Sequence, residues 1–167
     1  MAARMNRIAL DQMECSIARA LDVVGTAHAV LILRNAFNGM RTFDAFQAHL
    51  GMSSSVLAAR LKLLTTAGIL EKRASPTDGR SFEYRLTAKG RDLYPVLVAL
   101  LHWGETWDAS PDGPRLTLVE TATGRPVQTM AVRSEDGRAL DPREVTAMPG
   151  PGAGHKTHSL AGWRRRG

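Results

Sequence analysis

Apolar residues recur with a helical period in two consecutive segments, residues 42–50 and 53–67. Their spacing of three and four residues places each set on one buried face of a helix. Gly51 lies between the segments and allows a tight turn, while Thr42 and Ser53 stand where hydroxyl groups cap a helix N-terminus. The pattern therefore predicts two short helices joined by a turn. The two buried stripes are Phe43, Phe46 and Leu50, and Leu57, Leu61 and Leu64.

A charged hairpin is predicted directly after the second helix. Gly68 is a residue type that ends helices, and residues 69–75 then begin a strand. Residues 76–79, with the sequence Pro-Thr-Asp-Gly, provide the turn, and residues 82–86 alternate apolar and charged side chains like a returning strand. Two helices followed by such a hairpin form a winged helix-turn-helix. In this α+β fold the second helix enters the major groove of DNA.

Two further helices are predicted before this unit. Residues 17–24 are amphipathic and end at Gly25. Thr26 is a suitable N-cap for the next helix, and its run at residues 30–33 is apolar on nearly every side. We therefore expect the helix after Thr26 to be the central helix of the core.

A long apolar helix is predicted after the hairpin, from the N-cap Thr87 to Trp107. We expect Pro95 to kink it, because proline removes a backbone donor and clashes one turn back. Its apolar surface exceeds what a small winged domain covers, so packing against a symmetry mate is predicted. The alternative is that residues beyond 108 cover this surface. The predicted dimer-interface residues are Leu93, Val96, Leu97, Leu100, Leu101, Trp103 and Trp107.

Basic residues concentrate in the helix-turn-helix and hairpin. The chain has 22 Lys and Arg against 16 Asp and Glu, a net charge of +6. Residues 53–91 alone hold eight basic and three acidic groups, a net of +5. A local basic surface beside an exposed helix indicates a polyanionic partner, and double-stranded DNA is the partner that this fold favours. The predicted DNA-contacting residues are Thr42, Ser53, Ser54, Ser55, Arg60, Lys62, Lys72, Arg73 and Arg80.

Several segments between Cys15 and Trp107 follow the order of a known family. They are residues 15–25, 31–34, 68–73, 84–87, Gly90 and residues 95–104. With these segments the chain resembles the HxlR group of bacterial winged-helix transcription regulators, which are relatives of the MarR type. The resemblance implies a repressor-like homodimer that binds an inverted-repeat operator near a promoter, with the serine-led helix in the major groove.

The chain departs from the family pattern at two places. Ala27-His28 stands where the family commonly has Lys-Trp, and Ser53-Ser54-Ser55 stands where it often has Ser-Pro followed by a basic residue. Three hydroxyl groups discriminate poorly between bases. Arg60 and Lys62 are therefore expected to supply more of the DNA affinity.

Cys15 is a candidate redox sensor, because it occupies the position where this family commonly keeps a cysteine. A helix N-terminus stabilises the thiolate, which is the form that oxidants attack. The alternative is that Cys15 is a small buried apolar residue. Which signal the protein senses, oxidant or small-molecule effector, stays open.

The chain on either side of residues 15–107 is expected to form three smaller parts. Residues 1–14 are an N-terminal arm, residues 108–148 a small β-hairpin extension, and residues 149–167 a disordered tail rich in Gly, Pro and charge. Some family members carry a ribbon here with paired cysteines at its turns, whereas this chain has Thr123-Gly124 and Asp136-Gly137. The extension would then be a ribbon without its metal.

Other classes of protein are less favoured by the sequence. The chain lacks a P-loop, a dinucleotide glycine motif, a nucleophile elbow and an HExxH pair, so we expect no enzyme and no cofactor. His155 and His158 make only half a metal site, and one cysteine forms no internal disulfide. No run approaches ~20 apolar residues and no signal-peptide pattern opens the chain, which predicts a cytosolic protein without membrane contact. The remaining alternative is a winged-helix module that binds another protein.

Overall fold

The computed structural model describes residues 9–76 and 80–158. Four helices precede the wing: α1 (Ser16–Val24), α2 (Ala27–Phe37), α3 (Phe43–Leu50) and α4 (Ser54–Thr66). The wing consists of strands β1 (Leu70–Ala74) and β2 (Phe82–Leu86), and helices α5 (Ala88–Arg91) and α6 (Tyr94–Trp107) follow it. Short 3-10 turns lie at Leu10–Gln12 and Pro142–Glu144. The winged helix-turn-helix and the α+β class are confirmed.

The core lies between α2, the two helices of the helix-turn-helix and the start of β1. As predicted, α2 is central, since Ala29, Ile32 and Leu33 on one side of it are almost fully buried. Both predicted stripes of the helix-turn-helix face this core, with Phe43 and Leu50 only partly buried. The core cluster comprises Ala29, Ile32, Leu33, Phe46, Met52, Leu57, Leu61, Leu64, Ile69 and Leu70.

Four hydroxyl side chains start helices where the sequence predicted them. Thr26, Thr42, Ser53 and Thr87 accept the backbone N–H three residues later at 3.2, 3.3, 3.4 and 3.0 Å. Each bond satisfies one of the donors that a helix leaves unpaired at its first turn. Gly51 has a φ of +63°, the left-handed conformation that lets α3 end and the chain turn into α4.

The wing is an antiparallel pair that is joined to α3. Leu70 lies opposite Leu86 and Ala74 opposite Phe82, so β1 is shorter at both ends than the predicted 69–75. Ile69 instead offers its carbonyl to the Thr87 N–H at 3.1 Å. The predicted tip, residues 77–79, lies outside the described residues.

The predicted long helix from Thr87 to Trp107 is in fact two helices. Residues 92 and 93 form a turn between α5 and α6. Pro95 does not kink a continuous helix but lies in the first turn of α6, where its missing N–H needs no partner. The prediction of a kink was wrong because proline suits a helix start as well as it disturbs a helix interior.

The extension is built of turns and single bridges. Among the described residues of 108–148 there is no regular strand, and isolated antiparallel bridges join Val119 to Pro126 and Arg133 to Ala139. The predicted hairpins are therefore reduced to two tight turns with Gly124 and Gly137 at positive φ. Pro126 has no N–H to continue the ladder, which limits the first pairing to one bridge.

The extension is held on α6 by polar contacts. The Arg115 N–H donates to Glu105 Oε2 at 2.9 Å, and the Met130 N–H donates to His102 Nδ1 at 3.0 Å. Both acceptors lie on the side of α6 that carries the buried Val98. The extension therefore adds to the covered side of α6.

Part of the predicted tail contacts the N-terminal arm. The Thr157 hydroxyl donates to the Glu14 carbonyl at 3.0 Å, and the Lys156 N–H donates to Glu14 Oε2 at 3.3 Å. A side chain at Gly154 would overlap the Glu14 carboxylate. Residues 154–157 thus contact the N-terminal arm, while residues 1–8 and 159–167 lie outside the described part. The division at 1–14, 15–107, 108–148 and 149–167 stays a prediction.

No single helix of the described ranges is long and apolar enough to cross a bilayer. Helices α1 and α2 pass a test of length and composition only when taken together, and they are bent by 76° where they meet.

Candidate DNA-binding surface

The first turn of α4 is exposed and carries three serines. Ser53 Oγ accepts the Val56 N–H at 3.4 Å and lies 3.2 Å from Ser55 Oγ. Ser54 Oγ accepts from Gln47 Nε2 of α3 at 2.7 Å, which ties the two helices of the helix-turn-helix together. All three predicted serines therefore lie at the leading end of α4, where a helix entering a major groove makes its contacts.

Arg60 and Lys62 lie on different sides of α4. Two residues correspond to 200° of helix rotation, so both side chains cannot point along one direction. Arg60 is half-buried and forms no ion pair within residues 9–76 and 80–158. Lys62 is exposed and lines a shallow groove with Asp22 at the end of α1. Arg60 and Lys62, which were predicted to act together, are therefore separated on the helix.

Lys72 and Arg73 face opposite sides of the wing, because neighbouring residues of a strand alternate. Lys72 Nζ lies 4.0 Å from the centroid of the Phe82 ring, on the side that also carries Tyr84. Burial against the core raises the pKa of the Tyr84 phenol. Arg73 Nη2 lies 2.7 Å from Glu71 Oε1 on the other side, and both side chains of this pair are substantially exposed.

The start of α3 and the wing are connected through backbone contacts. The Tyr84 N–H donates to the Arg41 carbonyl at 2.7 Å, and Thr42 forms an isolated bridge with Glu83. Thr42 is exposed, but its side chain is already engaged in the N-cap. Thr42 is therefore placed to fix the wing relative to α3, and its backbone lies at the surface.

A basic hollow that the sequence did not predict lies beside the wing. Arg73 lines it together with three arginines that were not among the predicted contacts, Arg41, Arg85 and Arg91. Arg85 is paired with Glu83 at 2.8 Å, and Arg91 Nη1 donates to the Leu86 carbonyl at 3.0 Å. The Arg41 side chain has no partner within the described ranges. The signal was the position of Arg41 immediately before the N-cap of α3.

Arg80 is exposed and lies directly after the tip, two residues before β2 begins. The neighbouring residues 77–79 lie outside the described residues, so the geometry of the tip itself is not part of the site. Its position at the end of the hairpin agrees with the position from which an arginine reaches a backbone phosphate or a minor groove.

The seven apolar residues predicted for a dimer interface divide into two groups. Leu93 and Leu97 pack against the core of their own chain, and Leu101 is half-buried. The other four recur at i, i+4, i+7 and i+11 on the side of α6 opposite Val98. These four form the α6 stripe, and their exposed fractions are 53% for Val96, 52% for Leu100, 65% for Trp103 and 75% for Trp107.

Cys15 occupies the N-cap position of α1 and is half-buried. Its thiol makes no capping hydrogen bond to α1. The preceding Glu14 carries the contacts to residues 156 and 157. The candidate sensor therefore lies at the junction of the arm, α1 and the C-terminal segment.

Comparison with known proteins places this geometry in a family. Residues 23–112, more than half of the chain, match the profile described as HxlR-like helix-turn-helix. An uncharacterized HTH-type transcriptional regulator of Mycobacterium tuberculosis strain H37Rv is 36% identical over 137 residues, which are 82% of this chain and 87% of that protein. A segment of that length must include residues 108–137, so the relative shares much of the extension.

Two solved structures are similar over most of the chain, and a third is similar over about half of it. The crystal structure of PA1607, described as a candidate transcription factor, has a TM-score of 0.79 and 40% identity over 84% of this chain and 99% of its own. PA1374 from Pseudomonas aeruginosa, described in the same way, has a TM-score of 0.60 and 36% identity over 87% and 99%. The redox regulator HypR in its oxidized form has a TM-score of 0.51 and 26% identity over 55% and 96%.

Proposed function

Because this chain belongs to the HxlR-like helix-turn-helix family of transcriptional regulators, we propose that it represses promoters by binding an inverted-repeat operator as a homodimer. The observation that carries the proposal is the exposed first turn of α4 beside a basic wing. Ser53, Ser54 and Ser55 lead into the major groove, and Arg60 flanks them. Arg73 and Arg80 contact phosphates on either side of the groove.

The two-fold dimer is formed through the α6 stripe. Burial of these four large apolar side chains in the interface stabilises the dimer by about 25 cal/mol for every Å² of apolar surface that is removed from water. Two copies of α4 in one dimer then reach the same face of the duplex. The half-sites are therefore expected about 10 base pairs apart, or a multiple of that distance.

Sequencing the genomic DNA fragments that bind to the protein identifies the operator. The affinity of the protein for this operator is then measured as a function of salt concentration. Arg80→Ala should weaken binding to all DNA sequences and lower the slope of log affinity against log salt by about one. Arg125→Ala in the extension is the control, since Arg125 is an exposed arginine far along the chain from the wing.

The same binding experiment distinguishes the proposed function from the alternative of a protein-binding module. Such a module would bind neither operator nor random duplex DNA at physiological salt. An Arg80→Ala protein with the affinity and salt slope of the parent would remove the wing from the proposed contact surface.

Oxidation of Cys15 is the signal that we propose for release or capture of DNA, and the similarity to the redox regulator HypR supports it. With one cysteine per chain, the products are an intersubunit disulfide, a mixed disulfide with a small thiol, or a sulfenic acid. Each would shift α1 at its N-cap. Operator affinity is compared before and after diamide, in the parent and in Cys15→Ser. An equal loss in both proteins would make Cys15 a structural residue.

A further inference from the structure

A cavity of about 300 Å³ lies between α2, α6 and the extension. Its walls are mostly apolar, with Asn38 and Arg34 as the polar side chains beside them, and the aromatic rings of Phe37 and Tyr94 meet in it with their centroids 4.9 Å apart. The extension supplies one wall, through Leu116 and Leu118. An apolar cavity of about half this volume holds a benzene molecule, so this one suits a two-ring aromatic compound.

A single charged side chain, Arg34 of α2, lines this apolar cavity. No carboxylate within the described ranges forms an ion pair with Arg34. Its Nε and Nη2 donate to Asn35 Oδ1 at 3.1 and 3.0 Å, which leaves the remaining guanidinium N–H groups for another acceptor. A planar guanidinium next to apolar walls is the geometry that recognises a carboxylate on a hydrophobic body.

We propose that this cavity is a binding site for a small aromatic carboxylic acid, with its carboxylate on Arg34 and its rings between α2, α6 and the extension. The six residues that carry the proposal are Val30, Arg34, Phe37, Leu101, Leu116 and Leu118. A second copy of the chain is a poorer occupant, because the α6 stripe has most of its residues on the other side of the helix.

Arg34 also connects the cavity to the helix-turn-helix. Asn35 is almost completely buried, and its Nδ2 lies 3.0 Å from Nδ1 of His49 in α3. A ligand carboxylate that binds Arg34 draws its guanidinium away from Asn35 Oδ1. The Asn35 side chain, which also contacts His49, then loses one of the partners that hold it in place. Ligand binding is therefore coupled to the position of α3, and this regulatory part of the inference rests on the proposed DNA binding.

Calorimetric titration of the full chain tests the site with two probes of equal shape, 2-naphthoate and the neutral 2-naphthalenemethanol. We expect one 2-naphthoate per chain with a dissociation constant below about 1 mM. Arg34→Gln, which keeps a donor for Asn35, should weaken 2-naphthoate by about tenfold and leave the neutral probe unchanged. Arg19→Gln, an exposed arginine of α1, is the matched control and should change neither.

A second variant removes the space rather than the charge. Leu116→Trp should block both probes, and Leu116 is half exposed, so the larger side chain leaves the core intact. Absence of saturable 2-naphthoate binding, or equal weakening by Arg34→Gln and Arg19→Gln, would overturn the proposal. Dissociation of dimers by saturating 2-naphthoate would assign the cavity to a second copy and overturn it too.

The effect on DNA separates this inference from the proposed function. Saturating 2-naphthoate should weaken operator binding by about fivefold or more, while 2-naphthalenemethanol leaves it unchanged. Failure to bind DNA at all would end the proposed function but leave the calorimetric result standing. Operator binding that 2-naphthoate does not change would overturn the coupling through Arg34.

Discussion

Helices α4 and α6 have similar lengths, 13 and 14 residues, but opposite relations to their own chain. In α4 three leucines, Leu57, Leu61 and Leu64, are buried in the core, and Val56 is the one large apolar residue on its exposed side, which otherwise carries small and polar side chains. In α6 only Val98 is buried, while the α6 stripe remains at the surface. The comparison suggests that α4 presents a surface for a polar partner and α6 a surface for an apolar one.

The largest effect should come from a charge in the α6 stripe. Trp103→Glu would bury an unpaired carboxylate in the proposed dimer interface, and we expect the dimer dissociation constant to rise more than about 100-fold. Light scattering across a concentration series measures it. Operator affinity should fall at least about tenfold, because the two half-sites are then bound independently.

Ala48→Glu is the control for that experiment, since Ala48 is an exposed residue of α3 outside the stripe. The dimer dissociation constant of this variant should equal that of the parent protein. A monomeric parent protein with full operator affinity would remove the distinction between α4 and α6 that the comparison draws.

The attachment of α5 and α6 to the core can be tested at two glycines. A Cβ at Gly90 would collide with the Ile69 carbonyl, whereas a Cβ at Gly104 within α6 meets nothing within 4 Å. Gly90→Ala should therefore lower the free energy of unfolding by about 1–3 kcal/mol. Gly104→Ala should raise it by about 0.5–1 kcal/mol, because alanine favours a helix.

Urea denaturation of both proteins gives the two values from one experiment. Gly90→Ala reports on the contact that joins α5 to the start of β1, whereas Gly104→Ala reports on the intrinsic stability of α6. The two variants therefore test separately how α6 is attached and how stable it is by itself. Equal changes for both substitutions would show that the close approach at Gly90 relaxes without cost.

Arg60 and Lys62 are a matched pair on α4. If Arg60 contacts a guanine edge, Arg60→Ala should weaken operator binding by about 1–3 kcal/mol and relax preference at one position. Lys62→Ala should change it by less than about 0.5 kcal/mol, because Lys62 lines the groove that also contains the acidic Asp22 of α1. Fluorescence anisotropy on the mapped operator and single-base variants measures both. The reverse ranking would place the DNA on the α1 side of α4.

The smallest effect concerns pH at the end of the extension. The Asp141 N–H, and after it Arg138, hold the pKa of Glu144 below its usual value of 4.5. The stabilisation is therefore present above that value and is lost as the pH falls through the lowered pKa. Amide exchange of Asp141 should accelerate, relative to its intrinsic rate, as the pH falls through this lowered pKa, and Glu144→Gln should remove this dependence. An Asp141 exchange rate that follows only the intrinsic pH dependence would contradict it.

Sequence alone was sufficient for features that depend on neighbours along the chain. The caps at Thr42 and Ser53 and the apolar stripes of α3 and α4 follow from spacing, so they were predicted correctly. The helix break before Pro95 was not, because a proline permits either a kink or a new start. The division of the α6 residues needed the position of the core, since Leu97 and Leu100 are equally apolar in the sequence.

Tertiary contacts also decided which basic residues belong together. The alternation along β1 already separates Lys72 from Arg73, yet the hollow that Arg73 shares with Arg41 and Arg91 depends on the pairing of Tyr84 with Arg41. The cavity between α2, α6 and the extension is likewise built from residues more than 80 positions apart. No local pattern contains that information.

The hydrogen bond from Gln47 to Ser54 sets the polarity of the surface that α4 presents. Ser54 Oγ already accepts from Gln47, and Ser53 Oγ already accepts from the backbone of Val56. Ser54 keeps its hydroxyl proton and one lone pair, Ser53 and Ser55 share one hydrogen bond between their hydroxyl groups, and the backbone N–H groups of the first turn add donors only. Such a surface favours acceptor atoms, which are phosphate oxygens and the N7 and O6 atoms of guanine, over the amino group of cytosine.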